Sequence, residues 1–164
     1  MALVMMAVSC DKTAKEHFQI GETLPEFSVT TLDGENLSTA SLTGKPSIVV
    51  LFTSTCPDCH KQLPEIEEVF ANHKADINVL AISRGEDAKT VEAFWEDRGF
   101  TMPVAAPGDR VIYDLFDRGS ATGVPQVYIS NLKGEIIGFT NDKKVLTADE
   151  ILTIFHDKGP VEGE

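Results

Sequence analysis

The hydrophobic positions fall into a few patterns that predict most of the secondary structure. An unbroken apolar run at 48–52 (IVVLF) has the character of a strand buried on both faces, and a second run at 77–82 (INVLAI) repeats it. Between them Leu63, Ile66, Val69 and Phe70 recur at helical spacing. Strand, helix, strand over that length is a βαβ unit, which pairs its strands in parallel through a right-handed crossover.

Upstream, 18–25 (FQIGETLP) carries glycine and proline but no period, and is expected to be a loop. Phe27, Val29 and Leu32 predict a half-buried strand; Asp33-Gly34 is a turn dipeptide, and 35–37 returns as the second strand of a hairpin. Downstream, Val91, Phe94 and Trp95 mark one face of a helix ending near Gly99, with Trp95 in the core. The stretch 102–106, with Pro103 inside and Pro107 beyond, suits a short edge strand. Val111, Ile112, Leu115 and Phe116 give a further short helix. A run of small residues then ends at Val124-Pro125 and leads into an apolar strand at 127–129, with 135–139 as its hairpin partner. Thr147 and Glu150 form a capping box for a last helix whose apolar face is Ile151, Leu152, Ile154 and Phe155.

Length and charge add limits. The 164 residues suit one domain, 18–158, with a leader and linker at 1–17 and a tail at 159–164. A net charge of −12 argues against nucleic acid, which needs clustered Lys and Arg, and against electrostatic docking on anionic lipid. No apolar stretch approaches the roughly 20 residues that span a bilayer. The apolar 1–9 (MALVMMAVS), followed by Cys10 and a polar run, resembles the end of a bacterial lipoprotein signal, although no basic residue precedes it. On that reading Cys10 carries the lipid and is the only membrane attachment; otherwise Cys10 is incidental.

The chemistry concentrates at 52–63 (FTSTCPDCHKQL). Cys56 and Cys59 stand in C-x-x-C spacing at the junction of the buried run and the helix, a position that suits a redox dithiol. With Pro57 at the favoured first helical position, Cys56 falls at the N-cap or first turn, where free N–H groups and the positive helix end stabilise a thiolate. Cys59 lies one turn further in and less exposed. Cys56 is therefore the expected nucleophile and Cys59 the resolving thiol, with no cofactor beyond the pair. Asp58 opposes a Cys56 thiolate and so favours a reductant, whereas a protonated His60 acts the other way. Pro64 cannot donate to the His60 carbonyl, so a kink is expected there.

Other chemistries compete. A zinc site would need partners beyond Cys10 and four histidines, none of which forms a second C-x-x-C or H-x-x-x-H. Cys56–His60 also matches C-x-x-C-H, the c-type haem attachment pattern, but the βαβ setting opposes it and leaves His60 as a solvent-facing helix residue. The carboxylates of Glu65, Glu67 and Glu68 belong to a solvated helix face, with Glu65 able to approach the dithiol.

Three stretches taken together resemble the TlpA/ResA-like branch of the thioredoxin superfamily over about 21–155: GETLPEFSVTTLDGENLSTASLTGK, the CPDC motif with the later Pro64, and GVPQVYI followed by NLKGEIIG. The resemblance implies an α/β thioredoxin fold, a central mixed β-sheet flanked by helices on both faces with an N-terminal β-hairpin extension. It implies that Pro125 is a cis proline facing the dithiol and that Val124 offers its backbone to a substrate, beside Pro57 and Asp58. It further implies a thiol–disulfide oxidoreductase of the bacterial periplasm or cell envelope. Its partners would be a disulfide-containing protein substrate and an upstream dithiol donor. Thr55 stands where many relatives have Trp, Val50 where thioredoxins bury Asp, and Gln62 where several relatives carry Glu. The last two leave no evident base for Cys59, so water, a loop carboxylate or the substrate thiolate would serve. Thr53-x-x-Cys56 keeps a thiol peroxidase open, although Val49 stands where such enzymes have proline. A binding module with a merely structural dithiol is the third possibility.

Overall fold

The computed structural model describes residues 18–119, 122–140 and 144–158; Cys10 and the leader and tail expected at 1–17 and 159–164 lie outside them. The two apolar runs pair in parallel as β3 (Ser47–Phe52) and β4 (Asn78–Ser83), with Ile48 opposite Val79 and Phe52 opposite Ser83. Helix α1 (Pro57–His73) makes the crossover and continues unbroken through Pro64. Beyond β4 the chain forms α2 (Ala88–Arg98), the parallel strand β5 (Val104–Ala105) and the short α3 (Val111–Asp117). The hairpin of β6 (Gln126–Ser130) and β7 (Ile136–Thr140) lies on the other side of β3, with β6 paired antiparallel to it. The sheet order is β5-β4-β3-β6-β7, followed in sequence by α4 (Ala148–Lys158).

Alternation along β3 divides two cores. Ile48, Val50 and Phe52 face one side with Val79, Ala81, Val127 and Ile129, under Leu63 and Ile66 of α1, Val91 and Trp95 of α2 and Ile151 of α4. Val49 and Leu51 face the other with Leu80, Ile82 and Tyr128, under Tyr113 and Phe116 of α3. Burying each such side chain contributes about 1.5–3 kcal/mol, so a strand buried on both faces is the natural spine. This open mixed sheet with helices on both faces is a thioredoxin fold, extended by the hairpin β1 (Ser28–Thr30) and β2 (Asn36–Ser38).

The loop at 18–25 does more than its lack of period suggests. Phe18 and Leu24 are buried in the second core, and Phe18 meets Tyr128 edge-on at 5.5 Å. Its backbone bonds to the start of β7: Gly21 N–H donates to the Ile136 carbonyl at 2.8 Å and Ile136 N–H to the Glu22 carbonyl at 2.7 Å. At the opposite edge Leu32 N–H donates to the Val104 carbonyl at 2.8 Å, and Thr31 bridges Ala105. The N-terminal segment thus covers backbone at both sheet edges, groups that would otherwise invite pairing with another chain. The capping box of α4 forms: Thr147 N–H donates to the Glu150 carboxylate at 2.9 Å, and Glu150 N–H to Thr147 Oγ1 at 3.2 Å. No helix among the described residues is long and apolar enough to cross a membrane.

Candidate active site

Strand β3 delivers the chain to Thr53, Ser54 and Thr55, and Cys56 then caps α1 with extended backbone (φ −81°, ψ 117°). Its Sγ accepts the Cys59 N–H at 3.1 Å, the bond a serine cap would make, and Pro57 follows at the first helical position. The Cys56 thiol is half-buried and donates to the Val124 carbonyl at 3.3 Å, across 68 residues of sequence. The Val124–Pro125 peptide bond is cis. Cys56, Cys59 and Val124-Pro125 therefore meet at one point, where the carboxyl ends of the central strands open. Pro57 is exposed beside Cys56, and Asp58 pairs with Lys61 at 3.3 Å.

The two thiols differ sharply. Both are free, but Cys59 has no exposed surface. Burial above all, and then the hydrogen bond with Cys56, push the Cys59 thiol well above the usual thiol range. The Thr53 backbone and the positive charge of Arg84 oppose this.

Several side chains near the pair depart from expectation. His60 is half-buried, not a free solvent-facing side chain. Its Nε2 lies 2.6 Å from the Ser54 carbonyl, Arg98 Nη2 lies 3.1 Å from its Nδ1, and its ring stacks on Phe94 at 5.3 Å. The reason is geometric: one turn past the cap, His60 overlies the loop entering α1, and the C-terminal turn of α2 packs against it. With both ring nitrogens engaged, none is free to ligate haem iron. Glu65 turns to α4, not to the dithiol, and its Oε2 accepts the Ala148 N–H at 2.7 Å, satisfying a helix-end donor. Gln62 is fully buried and binds both backbone groups of Leu146, Nε2–H to the carbonyl at 2.9 Å and the N–H to Oε1 at 2.8 Å. Val50 is enclosed in the first core. Neither position can supply a base.

Two features escaped sequence reasoning. Glu86, in the loop after β4, accepts from Ser54 N–H at 2.9 Å, from the Ser54 hydroxyl, and from the Ser83 hydroxyl at 2.9 Å. The only signal was its place beyond the carboxyl end of a central strand. Behind the cis-proline loop lies a buried polar network. Gln126 Nε2–H donates to Thr122 Oγ1 at 2.9 Å, and the Tyr128 hydroxyl donates to Gln126 Oε1 at 2.8 Å. Tyr113 binds the Thr122 carbonyl and lies 3.1 Å from buried Asp117. Burial, reinforced by the charge of Asp117, raises both tyrosines above their ordinary values. Among the described residues no three His, Cys, Asp or Glu side chains converge as metal ligands.

Known proteins share this arrangement. The AhpC/TSA family matches residues 20–138. The thiol–disulfide oxidoreductase ResA of Bacillus subtilis is 24% identical over 144 residues, covering 87% of this chain and 75% of ResA. The solution structure of a candidate protein disulfide isomerase from Bacteroides thetaiotaomicron superposes with a TM-score of 0.74 at 26% identity, covering 85% of this chain and 87% of the other. A secreted Mycobacterium tuberculosis disulfide oxidoreductase, homologous to E. coli DsbE, gives 0.68 at 24% identity over 80% and 95%. The chain thus belongs to the AhpC/TSA family, as a thioredoxin-fold relative of the ResA-type thiol–disulfide oxidoreductases.

Proposed function

We propose that this thiol–disulfide oxidoreductase reduces or exchanges disulfides in exported proteins, with Cys56 as nucleophile and Cys59 as resolving thiol. The observation that carries this is the asymmetry of the pair: Cys56 caps a helix beside the Val124 carbonyl, while Cys59 is sealed beneath it. The Cys56 thiolate attacks one sulfur of the substrate disulfide, forming a mixed disulfide and releasing one substrate thiolate, which takes up a proton. Cys59 then loses its proton and attacks Cys56 Sγ, releasing the second substrate thiolate. Two electrons pass to the substrate and a Cys56–Cys59 disulfide remains, which an upstream dithiol reduces. Val124, whose carbonyl now accepts the Cys56 thiol, offers its backbone to the substrate chain, with Pro57, Asp58 and Pro125 around it.

Reduction of insulin disulfides tests the scheme. Cys56→Ser abolishes turnover, and Cys59→Ser accumulates a mixed disulfide with the substrate. Turnover retained in Cys56→Ser would remove the mechanism. Export is supported by the leader-like 1–9 with Cys10.

A further inference from the structure

We propose that His60 is a positioning residue for Cys56: a neutral imidazole, protonated at Nε2, it holds the Ser54 carbonyl, and Arg98 imposes that tautomer. This rests on the dithiol-exchange reading and gives the histidine of C-x-x-C-H a role that haem attachment would not. The tautomer follows from donor and acceptor types. A carbonyl only accepts, so the nitrogen 2.6 Å from Ser54 O carries the hydrogen. A guanidinium only donates, so the Nδ1 that Arg98 Nη2 approaches at 3.1 Å must offer its lone pair. An imidazolium would turn an N–H towards a second cation. Phe94 reinforces the arrangement, stacking on the His60 ring and holding the Arg98 guanidinium carbon 5.3 Å from its own centroid.

The consequence lies in the approach to the nucleophile. Ser54 is gripped from both sides: its N–H and hydroxyl by Glu86, its carbonyl by His60. Two residues on, the Cys56 N–H donates to the Thr53 carbonyl at 3.3 Å. The segment 53–56 is therefore held by α1, by α2 through Arg98, and by the loop after β4. That constraint keeps Cys56 Sγ between the Cys59 amide and the Val124 carbonyl.

The test uses the reduced protein with insulin as substrate and ¹⁵N shifts of the His60 ring. The wild type is expected to show the Nε2–H tautomer at neutral pH. His60→Phe, which keeps a ring on Phe94 but deletes the donor, lowers kcat/KM about tenfold with little change in melting temperature, the scale of one lost hydrogen bond. His60→Gln, which keeps a donor, recovers most of that rate. Arg98→Met, which leaves only the Ser54 carbonyl to select the tautomer, lets a share of Nδ1–H ring appear; a ring that stays wholly Nε2–H overturns the part assigned to Arg98. An active wild type with an Nδ1–H or imidazolium ring overturns the proposal. So does a His60→Phe variant at wild-type rate, or a His60→Gln variant as slow as His60→Phe. A wild type that exchanges no disulfide overturns the exchange reading instead.

Discussion

At the residue scale, the two thiols differ in burial, and the proposed cycle turns on that difference. Cys59 is the step that has to be released, since burial and Cys56 both hold its proton on. If Cys59 resolves the mixed disulfide, that step therefore goes on rising about tenfold per pH unit past the ordinary thiol value near 8.5, because only the thiolate attacks. A plateau reached near pH 8.5 or below in single-turnover kinetics would show that the thiol is not held back. The same displacement links to stability. A proton kept to higher pH in the folded state leaves stability whole below about 8.5 and drains it above, as the unfolded thiol ionises first. Replacing Cys59 with Ala flattens that alkaline limb in urea titrations of the reduced protein. With Gln62 bound to Leu146 and Glu65 to Ala148, neither supplies a base for Cys59, and the Arg84 charge only eases the loss of its proton.

At the element scale, α1 is fastened to the start of α4 by two side chains on neighbouring turns. Gln62 serves both backbone groups of Leu146, and Glu65 serves Ala148. An amide suits Leu146 because it both donates and accepts; a carboxylate can only accept. Gln62→Glu therefore places an ionised oxygen against the Leu146 carbonyl and raises the carboxyl's folded pKa. Its stability is retained near or below the ordinary value of about 4.3 and lost as pH rises. Urea midpoints at pH 4.5 and 7.5 should show a deficit of about 1–3 kcal/mol, larger at the higher pH. An equal deficit at both would mean the carboxylate finds another partner.

At the scale of the whole molecule, the N-terminal segment acts as a brace. Phe18 fills the second core, with the Arg118 guanidinium 3.5 Å from its ring centroid, while the residues after it pair with β7 and reach β5 through Leu32. Phe18→Ala is expected to cost about 3–5 kcal/mol in urea unfolding, the range for emptying a buried aromatic site. A loss under 1 kcal/mol would mark the segment as a passive cover. The lipoprotein reading of 1–10 gives a second expectation at this scale. If Cys10 carries lipid, wild-type protein partitions with membranes and Cys10→Ser moves to the soluble fraction; identical partitioning of both removes the anchor.

Local patterns determined the spine of this protein. Consecutive apolar residues announce a doubly buried strand, 3.6-residue spacing announces α1, and a C-x-x-C at their junction with Pro directly after its first cysteine announces a capped dithiol. These signals depend only on near neighbours, so sequence carries them. The resemblance added the loop at Val124-Pro125, which no local period could bring to Cys56. What tertiary structure alone decided are the pairings of polar groups distant in sequence: Glu86 with Ser54, 32 residues apart, Arg98 with His60, 38 apart, and Gln62 with Leu146, 84 apart. A polar residue in sequence shows only that it needs a partner. Which partner it takes depends on how the helices are set on the sheet, and that setting turned a nominally exposed histidine into a support for the nucleophile.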